Sequence, residues 1–276
     1  MKTAIVILTY NAEYNNDWHK ILQAYARQDF NADLLLICDS SSTDNTCTVA
    51  KEFHWQIRSI KQAEFNHGRT RQMLVDELDH NGFDAVIFAT QDALLSSGNT
   101  LSIMVNELKN SNAAAVYARQ IPRDPHTFDG FFRSLNYPAE SCIKQKSDIP
   151  GLGLMTPYCS NTLAVWNIHK VQAAGGFPAT GFGEDMLLAA ELIRNGETIS
   201  YCAEAECIHS HKDTIRNLWS RGFAIGCMHR NHPQLLQDFG RAESRVRALR
   251  IVYLPGMIIK YAGYLCGRYC SRKGDN

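Results

Sequence analysis

The sequence predicts an α/β fold: a mostly parallel central sheet flanked by helices, followed by a helical C-terminal tail. Three observations carry this. Short apolar runs, such as residues 4–8 and 85–89, have the length and composition of strands buried on both faces. Helical stretches separate the runs, which is the pattern of right-handed βαβ units. The chain has 276 residues, of which 45% are hydrophobic and 20% charged, enough to bury a substantial core.

Taken in order, residues 4–8 form the first strand, 17–27 a helix and 34–38 the second strand. Ser42-Thr43-Asp44 offers capping side chains for a helix to about residue 53, and 56–60 make a weaker strand. Residues 70–78 read as helix, 85–89 as strand, 99–109 as helix and 113–117 as strand. From 119 to about 157 the chain carries Pro122, Pro125, Pro138, Pro150 and Pro157. This stretch reads as loop, of the kind that lines or covers a site. Regular structure resumes at 162–166, with a helix at 184–195 stopped by Gly196 and a strand at 198–202. A short extended stretch at 206–208 and a helix from 215 to about 230 complete the series.

The 28 basic and 28 acidic side chains balance, so nothing draws the whole protein toward nucleic acid. Nine cysteines, an odd number with no C-x-x-C, argue for reduced thiols rather than disulfides or a zinc site. The N-terminus runs straight into strand sequence without a signal-peptide pattern, and a cytoplasmic location is expected.

Chemistry gathers where the strands end. Thr9-Tyr10-Asn11 follows the first strand, Asp39-Ser40-Ser41-Ser42 the second, and Gln91-Asp92 the strand at 85–89. In open α/β sheets ligands bind beyond the carboxyl ends of the strands. Asp39 there can accept hydrogen bonds from a base or ribose, and Asp92 can hold a divalent cation against a diphosphate. Each aspartate alone would read as turn or cap chemistry; three polar ends on one edge favour a nucleotide site. His67-Gly68 opens the next helix, with Gly68 allowing close backbone approach and Arg71 presenting a guanidinium fork in the first turn. Glu184 and Asp185 follow the hinge Gly181-Phe182-Gly183, where a carboxylate can serve as general base. His209-Ser210-His211 supplies two imidazoles. No G-x-G-x-x-G and no Walker loop is present, which excludes the usual dinucleotide and P-loop signatures.

As an ordered set, these motifs resemble family 2 glycosyltransferases of the GT-A fold. The set comprises Thr-Tyr-Asn, Asp39-Ser-Ser-Ser-Thr-Asp, Phe65-Asn-His-Gly-x-Thr-Arg71, Thr90-Gln-Asp-Ala, Gly183-Glu-Asp-Met and His-Ser-His. Together with Tyr117-Ala-Arg-Gln they are most similar to bacterial rhamnosyltransferases, over roughly residues 3–232. The resemblance implies a GT-A-like, Rossmann-related sheet and a nucleotide-sugar donor, with dTDP-L-rhamnose favoured. It implies that Thr9, Tyr10, Asn11, Asp39, His67, Gly68, Arg71, Gln91 and Asp92 bind that donor, with Arg71 near the diphosphate. Asp185 matches the catalytic base, with Glu184 as its partner in hydrogen bonding. Asp92 matches the last acid of the family's Asp-x-Asp metal motif, whose first acid is absent here. A divalent cation, Mg2+ or Mn2+, would then draw on His211 or His209 as well. The acceptor is expected to be a lipid-linked saccharide in O-antigen or other surface-polysaccharide assembly. The alternatives are a UDP- or GDP-sugar donor, or a catalytically silent scaffold on a membrane.

Residues 1–240 are read as the catalytic domain and 241–276 as a tail. The tail holds eight Lys/Arg against Glu243 and Asp275, around an apolar segment at 251–266 containing Pro255 and Lys260. That segment is shorter than the ~20 residues of a spanning helix. It reads as a peripheral element on the inner face of the cell membrane, or as a packing helix.

Overall fold

Every residue of β1 (Thr3–Thr9) is buried, because the strand is covered on both faces. The computed structural model describes residues 1–15, 17–240 and 253–270. Ile5 and Ile7 face a cluster with Trp18, Ile21 and Leu22 of α1 (Trp18–Ala26), Ala50 of α2 (Thr46–Glu52) and Leu101 and Met104 of α4 (Thr100–Ser111). Ala4, Val6 and Leu8 face the opposite cluster. There they meet Leu74 and Val75 of α3 (His67–His80), Val171 of α7 (Ile168–Ala173) and Leu188 and Ile193 of α8 (Glu184–Arg194). Alternation of side chains along a strand, with both faces covered, explains the unbroken apolar runs.

Strands β2 (Leu34–Asp39), β3 (Gln56–Ser59) and β4 (Ala85–Thr90) join β1 in the expected parallel arrangement. The full order is β3-β2-β1-β4-β8-β6-β9-β5, with β7 on β9. The other strands are β5 (Leu94–Leu95), β6 (Ala115–Ile121), β7 (Cys142–Lys144), β8 (Leu163–Asn167) and β9 (Ile199–Ile208). β8 enters the middle of the sheet antiparallel to both neighbours, and β6 and β9 are parallel.

Two stretches differ from the sequence reading. The region read as loop contains α5 (Phe128–Asn136), started by Thr127, whose hydroxyl accepts the Gly130 N–H. It also holds β7 and the short α6 (Ile149–Leu152). The extended pieces at 198–202 and 206–208 are one strand, β9, interrupted by a bulge. Ala118 pairs with Cys202 and the next residue, Arg119, with Glu206. The extra residues on β9 re-aim it, so its first half pairs with β7 and its last residues with β5.

After β9 come α9 (Ile215–Asn231), α10 (Pro233–Phe239) and α11 (Leu254–Tyr269). α9 and α11 run parallel in backbone contact. A Cβ on Gly222 would lie 2.0 Å from the Lys260 carbonyl oxygen, and one on Gly267 would lie 2.1 Å from that of Phe223. None of the described helices is long and apolar enough to cross a membrane. Of the tail's basic residues, Arg241, Arg245, Arg247, Arg250, Arg272 and Lys273 lie outside the described residues.

Candidate active site

The register of the sheet brings the polar strand ends to one edge: Thr9 pairs with Asp39, and Leu8 with Thr90. Asp39 is buried and holds the loop after β2. Its Oδ1 accepts from the Thr9 hydroxyl at 2.8 Å and the Ser42 hydroxyl at 2.5 Å, and its Oδ2 from the Ser42 N–H at 2.8 Å. With three hydrogen bonds made, the carboxylate has little accepting capacity left. Asn11, at φ 49°, ties the first loop to the second by accepting the Thr43 N–H at 2.8 Å. Gln91 pairs its side-chain amide with the backbone of Tyr10 in both directions, 2.7 and 3.1 Å. Of these residues Gln91 lines a cleft of about 750 Å3, together with Ala12, Asp17, Trp18, Asp92 and His211 among others.

β5 pairs antiparallel with the end of β9, Leu94 opposite Ile208, and so carries Asp92 to the residues that follow β9. His209 Nε2 stands 3.2 Å from Asp92 Oδ2. Asp92, His209 and His211 together present ligand atoms all within 4.8 Å of one another.

His209 is oriented by a residue that carried no assigned role in the sequence. Gln120 Oε1 accepts from Arg133, and His209 Nδ1 lies 3.2 Å from the same oxygen. Since arginine can only donate, that oxygen is an acceptor, and His209 Nδ1 must carry the proton. Nε2 then faces Asp92, and the two can stay this close only with a proton or a cation between them. Burial opposes the ionisation of Asp92, but the hydrogen bond and charge of His209 hold its carboxyl well below the usual range. His211 is pushed down to about 3 by burial and by Arg221, which keeps its imidazole neutral and able to ligate. One carboxylate and two imidazoles are a donor set that fits a divalent transition ion.

Asp185 heads α8. Its Oδ2 accepts the Asn161 N–H at 3.0 Å and its Oδ1 the Met186 N–H at 2.8 Å. Burial, then the neighbouring Glu184 carboxylate, push its pKa up to about 7. Asn161 belongs to the segment that links this carboxylate to the imidazole cluster. Ser160 accepts from Gln120 Nε2 at 2.9 Å, and the Thr162 carbonyl accepts the Thr90 N–H at 3.1 Å. Gln120 stood out only as the end of the Tyr117-Ala-Arg-Gln motif, without a role, and Asn161 did not stand out at all, because their partners are remote in the chain.

Two expectations are corrected. Arg71 does not present a free fork: its guanidinium is buried, donating to Glu184 Oε1 at 2.6 Å and lying 3.3 Å from His67 Nδ1. Burial and then the Arg71 charge lower the pKa of His67. Gly68 approaches protein rather than ligand. Its N–H donates to the Thr180 carbonyl at 2.9 Å, and a Cβ there would lie 1.7 Å from the Pro178 carbonyl oxygen. Arg71, His67 and Gly68 thus clamp the loop that delivers Glu184 and Asp185.

Among the described residues, a nine-stranded α/β sheet gathers its loops beyond the parallel strands and brings an acid–imidazole cluster and a carboxylate at a helix start to them, parts suited to a group-transfer enzyme. Residues 4–164, more than half of the chain, match the family model for glycosyl transferase family 2, and the chain belongs to that family. It is similar to the O-antigen chain rhamnosyltransferase WbaN of Salmonella anatum, with 38% identity over 240 residues, covering 86% of this chain and 75% of that protein. The O-antigen chain rhamnosyltransferase RfbN of Salmonella typhimurium is 37% identical over 246 residues, covering 88% of this chain and 77% of its own. Among solved structures, the mannosyltransferase PcManGT from Pyrobaculum calidifontis, in complex with GDP-Man and Mn2+, superposes with a TM-score of 0.62. It is 16% identical, with 98% of this chain and 76% of that one covered. S. aureus TarS 1-349 gives a TM-score of 0.57 at 14% identity, covering 98% and 81%. These structures share the GT-A fold with this chain.

Proposed function

We propose that this glycosyltransferase moves an L-rhamnosyl unit from dTDP-L-rhamnose to a lipid-linked saccharide during O-antigen or related surface-polysaccharide assembly, inverting the anomeric carbon. The observation that carries the reading is Asp185, a carboxylate fixed by two backbone N–H groups and poised to ionise near neutrality. The similarity to two rhamnosyltransferases supports the sugar and the pathway class.

In the proposed reaction an acceptor hydroxyl attacks the anomeric carbon, and its proton passes to Asp185. The bond from that carbon to the phosphate oxygen breaks, and the nucleoside diphosphate leaves with the electron pair. One displacement turns a β-linked donor into an α-rhamnoside. Thr9, Tyr10, Asn11 and Asp39 shape the nucleoside end, and Gln91 fixes the first loop against Asp92. Arg71 and His67 act on this chemistry through Glu184, by holding the start of α8. Asp92, His209 and His211 would hold Mn2+ or Mg2+, which when bound offsets charge on the leaving diphosphate. Residues 1–240 form the catalytic unit, and the basic tail rests on the inner face of the cell membrane.

A donor panel tests the reading. Purified protein is given dTDP-, UDP- and GDP-sugars with a lipid-linked acceptor, and nucleotide release is measured with and without chelator. Chelator-sensitive release from dTDP-rhamnose alone is expected. Release confined to UDP- or GDP-sugars would overturn the donor assignment.

A further inference from the structure

Outside the cleft, between α5 and the α9–α11 pair, lies an apolar groove of about 290 Å3 walled by Phe128, Phe132, Ile225, Met257, Tyr261 and Tyr264. Lys260 also lines it. A smaller polar pocket shares Phe128, Phe132 and Lys260 with the groove and adds Arg133, Arg221 and Tyr158. Arg221 in turn lines the large cleft that contains Asp92 and His211. Shared side chains therefore set an apolar groove, a cationic neck of about 70 Å3 and the candidate active site side by side.

The charges in the neck are unequal. Arg133 and Arg221 both pair with Asp129, at 2.8 and 3.1 Å. Asp213 is the next acid, and its carboxylate accepts the Asp129 N–H at 3.1 Å. Lys260 makes no hydrogen bond or ion pair with any described residue and feels Asp129 and Asp213 only at longer range, so among the described residues three cations, Arg133, Arg221 and Lys260, face two acids where the groove meets the neck. Tyr261 of the groove also belongs to an apolar surface. Leu254, Ile258, Tyr261, Leu265 and Tyr269 are exposed at spacings of three and four along α11, which places them on one stripe. The glycine contacts between α9 and α11 hold that stripe facing outward.

We infer that the groove binds the apolar chain of the lipid-linked acceptor, with Lys260 on its diphosphate and the saccharide extending past Arg221 toward the cleft. This rests on the reading of the acceptor as lipid-linked. An apolar groove of about 290 Å3 with one cation in its wall suits a single apolar chain ending in a diphosphate. A bulk phospholipid carries two chains and keeps its phosphate at the surface. Charge-assisted hydrogen bonds from an ammonium are a common means of holding phosphate oxygens.

Farnesyl diphosphate is a suitable probe, titrated against the full chain in neutral detergent with chelator present, so that no metal bridges the diphosphate. Binding at least about tenfold tighter than that of inorganic diphosphate or farnesol is expected. Lys260→Met, which removes the charge, and Ile225→Trp, which fills the groove, should each weaken it by about tenfold. Circular dichroism and melting curves check that each variant folds, and Ile225→Trp stands in if Lys260→Met does not. Equal affinity for inorganic and farnesyl diphosphate would overturn the proposal. So would insensitivity to the folded variants, or equally effective competition by phosphatidylglycerol vesicles. Intact farnesyl diphosphate binding without turnover of any nucleotide-sugar would strike the transferase reading and leave the groove standing.

Discussion

Arg71 Nη1 donates to Glu184 Oε1 at 2.6 Å with both side chains almost fully buried, 2% and 7% exposed, so the starts of α3 and α8 are locked together. Asn161 Nδ2 adds a bond to the same carboxylate oxygen at 3.2 Å, and Trp166 Nε1 in turn donates to Asn161 Oδ1 at 2.8 Å. Breaking one side of such a pair leaves a buried charge without compensation, which costs about 3–5 kcal/mol. Arg71→Met and Glu184→Gln should each lose stability on that scale in urea unfolding. A loss below about 1 kcal/mol, the range of exposed pairs, would show that the pair is not what holds the two helices.

Gly68 makes the same joint from the backbone side. The atom its Cβ would strike is a main-chain carbonyl, that of Pro178, which cannot move without the loop leading to Asp185. Overpacking of this kind costs about 1–3 kcal/mol. Gly68→Ala should lower the melting temperature and depress turnover, whereas Gly151→Ala, with nothing within 4 Å of its Cβ, should change neither. Equal melting temperatures for the two variants would refute the clamp.

These two residues show where sequence reading succeeds and where it stops. β1, β2 and β4 were legible because both of their faces are covered, which leaves an unbroken apolar run. The reversal of β8 was not, since Leu163–Asn167 has the same apolar character whichever way it runs. α5 hid among flanking prolines, although Thr127-Phe128-Asp129 is a capping signal. Asp92, His209 and His211 were legible as chemical types, and the structure brings them together. Arg71 and Gly68 were legible as special positions, but whether their partner is protein or ligand depends on a loop more than a hundred residues away.

Asp185 predicts a pH profile. Its pKa is raised to about 7 by burial and by Glu184, while the backbone N–H of Asn161 and the charge of Arg71 work against that rise. The carboxyl is protonated below that pH and accepts a proton only above it, so kcat/KM should rise with pH through about 7 and then level off. Asp185→Asn should remove the limb and cut turnover by about 10²–10⁴. Stability moves the opposite way. Between the unfolded carboxyl's pKa, about 4, and 7 the folded state binds the extra proton, so the wild type loses stability as pH rises across that window. The melting temperature of Asp185→Asn relative to wild type should therefore increase from pH 5 to pH 8. A difference independent of pH would remove the raised carboxyl from both arguments.

Gln120 predicts the behaviour of the metal cluster. Its carbonyl oxygen, fixed by Arg133, requires the proton of His209 on Nδ1 and so turns Nε2 toward Asp92. Partners of this kind orient ligating imidazoles, and their loss typically lowers metal affinity by about 10–100-fold. Gln120→Leu should weaken Mn2+ binding by that factor, read from free Mn2+ by electron paramagnetic resonance without any substrate. His209→Ala and His211→Ala should weaken it further. The nitrogens in the donor set also rank the ions. Mg2+ favours an all-oxygen octahedron, so Mn2+ should bind more tightly than Mg2+, and the histidine variants should narrow that gap more than Asp92→Ala does. Mn2+ affinity unchanged in Gln120→Leu, alongside an unchanged melting curve, would mean that His209 is oriented for its contact with Asp92 and not for a metal.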